Sequence, residues 1–503
     1  MTAKTLMVQG TSSSVGKSVI TAALCRLFTD EGLSVAPFKA QNMALNAYVT
    51  RDGGEIGRAQ AVQAAAARVV PTVDMNPILL KPEAGSRAQV VVLGKARGGA
   101  RAVDYERDRD ELRGIVRDAL SRLRALHDLV VIEGAGSPVE VNLKDRDVVN
   151  MFVAETADAP VILVGDIDRG GVFASFVGTL SLLSPGERAR VGALLVNRFR
   201  GDVRLFEPGV RFLAEHTGIP VLGVVPHLHA LRIADEDSVA LSDRRNRRRA
   251  SVSEVEIAVV CLPHVSNHDD FLPLEHEPGV VVRFVENPRE LEGADLVVLP
   301  GTKSTVADLA WLRETGMAEA LVRRAARAEP VLGICGGCQI LGRSIRDPEG
   351  VESDVPEARG LELLPAVTRF GSEKRTRQVR ASLGRPSFLG TPSDPPLRGY
   401  FIHQGRIEVS AADALASFVA EGPVEDQGLD GAVSPDGVVV GTLLHGLFEN
   451  ASVRTALLRA LRTRRGLPEP AADGTPVVDE YDRLASVLRE HVDLSLLHRL
   501  IGR

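Results

Sequence analysis

Two short stretches of this sequence carry residue types whose spacing implies chemistry. The first is Gly10-Thr-Ser-Ser-Ser-Val-Gly16-Lys17-Ser18, a run of small residues closed by a cation and a hydroxyl. Loops of this composition curl so that successive backbone N–H groups surround phosphate oxygens. A helix starting at the end of the loop adds partial positive charge, Lys17 adds a full one, and the Ser18 hydroxyl suits Mg2+. The expected nucleotide contacts are therefore Gly10, Thr11, Val15, Gly16, Lys17 and Ser18. The second stretch is Val331-Leu-Gly333-Ile-Cys335-Gly-Gly337-Cys338-Gln339. A Gly-x-Cys-x-Gly run at a strand-to-helix corner makes a nucleophile elbow, because its small neighbours permit a strained turn that exposes the sulfur. A helix N-terminus favours the thiolate, so Cys335 is the expected nucleophile. Cys338, one helical turn onward, reads as a packing or pocket-lining residue, and Cys25 and Cys261 as structural.

A thiol nucleophile needs a base. His445-Gly446 follows the apolar run Val438–Leu444, just as Cys335 follows Val331–Ile334. In a parallel sheet two such positions can be neighbours despite their separation in sequence, so His445 is the expected base. An oxyanion hole needs backbone donors near the sulfur: Gly336 offers one, and Gly301 in Leu299-Pro-Gly301-Thr302-Lys303 offers a second. At the other centre, strand Leu129–Ile132 ends in Glu133-Gly-Ala-Gly136, a carboxylate among small residues. Glu133 is therefore the expected Mg2+ ligand together with Ser18. Asn197 stands after the strand-like Val191–Val196, where it would read a nucleoside base. Lys39-Ala-Gln41-Asn42 is placed to face a transferred phosphate, and Asp166-Ile-Asp168-Arg169 sets acid and base side by side.

The elements that must position these loops alternate. Thr5–Val8, Leu129–Ile132, Val161–Val164 and Val191–Val196 read as buried strands, and Ser18–Glu31, Ile56–Val69 and Glu111–Leu126 as helices between them. Strands alternating with helices predict an α/β fold with a mainly parallel sheet flanked by helices, and ligands collect at the carboxyl ends of such strands. A second series follows at Glu254–Cys261, Val280–Val285, Leu296–Leu299, Val331–Ile334 and Val438–Leu444. The expected division is a nucleotide-binding domain over 1–240, a linker over 241–252 holding the basic run Arg244–Arg249, a second α/β domain over 253–450 and a helical segment over 451–503. The helical segment is expected to pack on the second domain or an adjoining surface. The Gly- and Pro-containing region Lys374–Leu397 reads as loop or insertion.

Composition narrows the function. The 503 residues carry a formal charge of −6 and only 4% aromatics, so neither a basic surface nor a base-stacking platform points to nucleic acid. No apolar run approaches the roughly 20 residues of a membrane span, and the first residues lack a secretory cleavage pattern. Four cysteines in such a length argue against a disulfide scaffold. The expectation is a cytoplasmic enzyme with no membrane, nucleic-acid or obligate protein partner.

The Gly-Ile-Cys-Gly-Gly elbow, the Leu-Pro-Gly-Thr-Lys loop and the Leu-His-Gly corner resemble a class I glutamine amidotransferase domain. The longer phosphate loop resembles that of the dethiobiotin synthetase-like ligases, with five residues where ordinary P-loops have four between the glycines. Together they resemble the cobyrinic acid amidating ligases. Pro37–Met43, Gly165–Phe173, Asn197–Asp202, His264–Asn267 and Gly399–His403 are similar to the cobyric acid synthase branch of that group. The resemblance implies a P-loop NTPase-like domain followed by a flavodoxin-like class I amidotransferase domain. It also implies ATP and Mg2+ as cofactors, and L-glutamine and adenosylcobyrinate a,c-diamide as substrates, with four peripheral carboxylates amidated. The sister ligase that makes the a,c-diamide shares both domains, but the Lys39–Asn42 and Asn197–Arg200 loops favour the cobyric acid branch. A ParA/MinD-like switch ATPase is the alternative from another class; it would place a lysine early in the loop, where Thr11 and Ser12 stand, and would lack the thiol elbow. General class I amidotransferases carry His-x-Glu, whereas here that position is Leu447. Glu449 is not expected to serve as a triad member, the cobalamin branch being understood to do without one.

Overall fold

Strands that are apolar on both faces are satisfied only between two layers of helices, and this chain builds two such sheets. The computed structural model describes residues 2–83, 87–101, 109–228, 231, 233, 248–422, 425–469 and 479–503. The first sheet runs Val221–Pro226, Val191–Phe199, Val161–Asp166, Lys4–Gly10, Leu129–Glu133 and Val35–Phe38, all parallel. The chain moves to one side of Lys4–Gly10 for Val35–Phe38 and to the other for Val161–Asp166. The loops at the central strand's carboxyl end therefore border a crevice. Register sets the neighbours there: Val8 pairs with Glu133, Gly10 with Val164, and Asp166 with Asn197.

The second sheet runs Val280–Val285, Val255–Val260, Leu296–Leu299, Val331–Ile334 and Val439–Thr442 in parallel, with Ala432–Val433 antiparallel at the edge. Leu299 pairs with Gly333 and Ile334 with Thr442, so the elbow, the Gly301 loop and His445 leave the sheet at one end. Each predicted strand of both series is present, its ends shifted by at most three residues.

Three regions differ from expectation or go beyond it. Lys374–Leu397 is not a loop throughout: Val367–Leu383 is a continuous strand paired antiparallel with Leu397–Glu408 and Ala416–Glu421. The loop-forming Gly384, Pro386, Gly390, Pro392, Pro395 and Pro396 all lie beyond its end, whereas Val379, Ala381 and Leu383 alternate inward. A further sheet, Gln41–Met43, Ile78–Glu83, Arg87–Val92 and Lys95–Arg101, is built around a hairpin whose turn residues Leu93 and Gly94 both have positive φ. Finally, the C-terminal segment divides. Helix Ala451–Arg465 buries Val453, Leu457, Leu458 and Leu461 in the second domain's core. Helices Glu480–His491 and Leu494–Leu500 return to the first domain, where Leu484, Ala485, Leu488 and Leu497 join the core beneath helix Lys17–Asp30. Arg26 pairs with Asp479 at 3.2 Å, and Val492 bridges Gly223. The expected linker lies largely outside the described residues; Arg248 and Arg249 are described and pair with Glu254 and Glu256.

The two domains meet through an apolar cluster of Ala44, Ala47, Val49, Leu79 and Val91 against Tyr400 and Ile402. Beside it, Lys374 of the second domain reaches the buried Glu55 carboxylate, which also accepts from Lys81 at 2.8 Å. The two lysines outweigh burial and hold Glu55 down to about 2. Among the described residues no helix is long and apolar enough to cross a membrane.

The returning tail makes a testable claim. Leu488→Ala should cost the first domain about 2–5 kcal/mol, the range for truncating a core leucine, read as an earlier unfolding transition in urea. A cost below about 0.5 kcal/mol, typical of surface changes, would show that the tail is not part of that core.

Candidate active site

The phosphate loop is held in shape by bonds across the crevice. The loop opens with Thr11 N donating to Val164 O at 2.9 Å and closes at Gly16, whose φ of 98° is open to glycine and costly to other residues. Asn197 Nδ2 donates to Val15 O at 2.8 Å, and a Cβ on Gly16 would come within 2.2 Å of that amide nitrogen. Asn197, expected to read a nucleoside base, is buried and braces the backbone of the loop through this bond. The Val15 side chain is buried in the core, leaving its backbone for the loop. A Cβ on Gly10 would crowd Val15 and come within 3.0 Å of Lys17 Nζ, so the cradle needs a glycine there. Lys17 Nζ donates to Ser12 O and Gly136 O, both at 3.0 Å, which places its charge across the mouth of the loop.

Glu133 is the electrostatic centre of this pocket. It is fully buried, and Ser18 Oγ donates to its Oε1 at 2.8 Å, Lys39 Nζ at 3.0 Å, and Gln63 Nε2 to its Oε2 at 2.5 Å. A hydroxyl beside a carboxylate is the hard-oxygen pair that Mg2+ takes along with nucleotide phosphates and water. The donors present therefore fit that ion. Among the described residues no group of three His, Cys, Asp or Glu side chains could cage a metal. Asp166 and Asp168 pair with Arg198 at 2.9 Å and Arg200 at 2.6 Å on the rim.

In the second domain, Cys335 stands at the corner between Val331–Ile334 and helix Gly336–Leu341 with φ 51° and ψ −114°. That conformation is strained for a residue with a Cβ and has the sharp strand-to-helix form that an elbow requires. The elbow glycines are required by contact: a Cβ on Gly336 would strike Thr302 at 2.5 Å, and one on Gly337 would strike the Leu299 carbonyl oxygen at 1.9 Å. The Gly301–Thr302 loop thereby lies against Gly336, and a Cβ on Gly301 would come within 3.1 Å of His445 Cε1. Cys335, Gly336, Gly301 and His445 are all brought together. Cys338 is buried, and its thiol is held well above the usual range by burial and by the charges of Asp430 and Cys335.

The sequence reading missed what orients the histidine. Asp270 Oδ2 lies 2.6 Å from His445 Nδ1, and Asp270 Oδ1 accepts from Gly446 N at 2.9 Å. Both side chains are buried, and Tyr400 stacks on the imidazole with ring centroids 5.4 Å apart. Burial opposes the imidazolium, but Asp270 first and then Cys335, by charge and hydrogen bonding, push His445 up to about 10. Glu449 instead lies 3.7 Å from Arg58, so it is no part of this arrangement. Asp270 does leave a trace in the sequence: an acidic pair, Asp269-Asp270, just beyond His264–Asn267 and the carboxyl end of a parallel strand.

Comparison with known proteins identifies the two domains that carry these residues. Residues 6–240 match the CobQ/CobB/MinD/ParA nucleotide binding domain family, and residues 256–453 match the CobB/CobQ-like glutamine amidotransferase domain family. The chain is similar to a cobyric acid synthase of Sorangium cellulosum, with 60% identity covering 100% of this chain and 99% of that protein. The chain belongs to the cobyric acid synthase family. A cobyric acid synthase of Dehalococcoides mccartyi strain CBDB1 is 47% identical over 99% of both chains. The PurLQS structure from Thermotoga maritima aligns with 41% of this chain and 99% of that one, at 18% identity and a TM-score of 0.33. As a member of the cobyric acid synthase family, the protein is a ligase with a glutamine amidotransferase domain.

The Asp270 contact predicts a pH signature in this cobyric acid synthase family member. Its negative charge stabilises the imidazolium, so Asp270→Asn should lower the histidine pKa. The alkaline limb of the pH profile of glutamine hydrolysis should move to lower pH, and the maximal rate should fall about a hundredfold. An unmoved limb would remove Asp270 from the site.

Proposed function

We propose that this protein amidates the b, d, e and g carboxylates of adenosylcobyrinate a,c-diamide to give adenosylcobyrate, with glutamine as nitrogen donor and ATP with Mg2+ as the activating system. The observation that carries the reading is the Cys335–His445–Asp270 arrangement on a strained elbow, joined in one chain to a phosphate loop beside Glu133.

In the amidotransferase domain, the Cys335 sulfur attacks the side-chain amide carbon of glutamine. The backbone amides of Gly336 and the Gly301 loop face the developing oxyanion. His445 delivers its proton to the departing nitrogen, and ammonia leaves behind a γ-glutamyl thioester on Cys335. Water, deprotonated by the now neutral His445, then hydrolyses the thioester to glutamate and restores the thiol. Asp270 keeps the imidazole in the orientation that both transfers need.

A carboxylate resists attack by ammonia until one of its oxygens becomes a good leaving group. In the first domain, the corrinoid carboxylate attacks the γ-phosphorus of ATP, releasing ADP and forming an acyl phosphate. Ammonia then adds to the acyl carbon and phosphate departs. Lys17 and Lys39 bring positive charge to the phosphoryl group in transfer, while the backbone of Gly10, Thr11, Val15 and Gly16 encloses the other phosphates. Asn197 supports the loop and borders the nucleoside. Mg2+, held by Ser18 and Glu133 with the phosphates, would neutralise charge there.

Cys335→Ser should abolish amidation with glutamine while free ammonia still supports it; loss with both nitrogen sources would defeat the two-centre account. Lys17→Ala should slow synthesis by about a hundredfold or more with either source. Mass spectrometry of a corrinoid diamide incubated with ATP, Mg2+ and glutamine should display a ladder of four amidations. A diamide that gains no amide would instead point to the sister ligase, whose product it already is.

A further inference from the structure

The turn that carries Asp270 belongs to the second domain, yet the first domain grips it residue by residue. Asn267, in the left-handed region at φ 52°, exchanges hydrogen bonds with Ala47: its Nδ2 donates to Ala47 O and its Oδ1 accepts from Ala47 N, both at 3.3 Å. His268 Nε2 lies 2.7 Å from Asn46 Nδ2, and His268 N donates to Asn46 Oδ1 at 3.3 Å. Asp269 Oδ2 forms an ion pair with Arg58 Nε at 2.8 Å. Asp270, next in the chain, meets His445. Three successive residues are thus tied to the nucleotide-binding domain and the fourth to the amidotransferase base.

Among these ties the ion pair is the one that cannot be lost quietly. The Asp269 side chain is 1% exposed, and its other oxygen, Oδ1, is buried with no hydrogen-bond partner. Arg58 is the cation paired with it among the described residues, itself only 18% exposed and lying over the Tyr48 ring. Burial works against the guanidinium charge, but Asp269, Tyr400, Glu449 and Asp270 together hold it firmly protonated. Without Arg58, a buried carboxylate one residue from Asp270 would lack its counter-charge. It would have to take up a proton or swing toward water, and either response moves the turn. The domains would nevertheless stay joined, because neither the apolar cluster around Tyr400 and Ile402, which borders the turn through Ala47, nor the Glu55–Lys81–Lys374 group uses Arg58.

Arg58 also stands at the start of the helix Arg58–Ala66, which touches the other centre. Gln60 of this helix accepts from Asn42 at 3.0 Å, and Gln63 donates to Glu133 at 2.5 Å. A single short helix therefore abuts both the phosphate pocket and the turn that aims the histidine.

We propose that Arg58 of the nucleotide-binding domain is a positioning residue for the amidotransferase centre: paired with Asp269, it holds the Asn267–Asp270 turn so that Asp270 orients His445. Glutamine is then hydrolysed at full rate only while the nucleotide-binding domain keeps the helix Arg58–Ala66 docked. The inference rests on the reading of Cys335 and His445 as the glutamine-hydrolysing pair.

The test uses the full chain and steady-state glutamine hydrolysis. Arg58→Gln should lower kcat roughly tenfold, with KM for glutamine changed less than about twofold, because the loss falls on orientation of the base rather than on substrate binding. Arg58→Lys, which restores the charge, should recover most of the rate. Asp269→Asn approaches the same contact from the other domain and should give a similar loss, and the double variant should lose no more than either single one. Amidation supported by free ammonia should remain at the wild-type rate in Arg58→Gln. Full glutamine hydrolysis in Arg58→Gln and Asp269→Asn overturns the proposal, as do additive losses in the double variant. Loss of ammonia-supported amidation along with hydrolysis overturns it too, since Arg58 would then serve the first domain itself. Cys335→Ser is measured alongside: retained activity with glutamine defeats the underlying reading, whereas its loss beside an unimpaired Arg58→Gln enzyme defeats only the role of Arg58.

Discussion

A buried carboxylate governs the arrangement of the amidotransferase centre. Asp270 is withdrawn from water, so its charge must be answered by the protein, and the answer comes from the His445 imidazole at 2.6 Å and the Gly446 amide at 2.9 Å. Both oxygens are thereby committed, and the imidazole is pinned by the nitrogen that faces away from Cys335. Tyr400 closes one face of the ring, and its backbone exchanges hydrogen bonds with that of His445 at 3.0 and 3.1 Å. Strain at Cys335, close packing against Gly301 and Gly336, and the seating of the Asn267–Asp270 turn all serve a histidine with little freedom to rotate. Such rigidity suits the proton transfer in two successive directions that the proposed reaction asks of this histidine.

Parallel pairing explains why two unrelated chemistries are built in the same manner. In each domain the candidate site residues leave the sheet at the carboxyl ends of adjacent strands, and ladder register decides which of them meet. Val8 opposite Glu133 puts the acid beside the phosphate loop, and Ile334 opposite Thr442 puts the thiol within reach of the histidine. Helix Arg58–Ala66 and the Asn267–Asp270 turn then connect two centres that the sheets alone would leave independent.

What could be read from the sequence follows from the range of the interactions involved. The phosphate loop and the elbow are continuous runs whose glycines answer to local backbone demands, so they were legible without any knowledge of the fold. His445 and Glu133 were legible because a residue just past a buried strand must stand at that strand's end. Asp270 and Arg58 were not, because their partners lie in distant segments and their types alone do not tell a solvated charge from a buried one. Asn197 was found for its position after a strand, but its amide turns out to brace the loop from below. The strand Val367–Leu383 was obscured by its arginines, which stand at partly or fully exposed positions on both faces, and by the prolines that follow it. The tail was half understood: its amphipathic stripe was plain, but a stripe does not say which of two cores it will meet.

That tail has a consequence for how the molecule is held as one piece. The polypeptide begins in one body, crosses to the other, and comes back to finish beneath the helix that starts at Lys17. The amidotransferase body is thus an excursion bracketed by two crossings of the chain, one out and one back, in the manner of a domain inserted into a host. Each crossing confines the other, so momentary parting of the two bodies is followed by reunion at high local concentration. It also means that cutting the gene at a single boundary would leave the nucleotide-binding body without its last two helices.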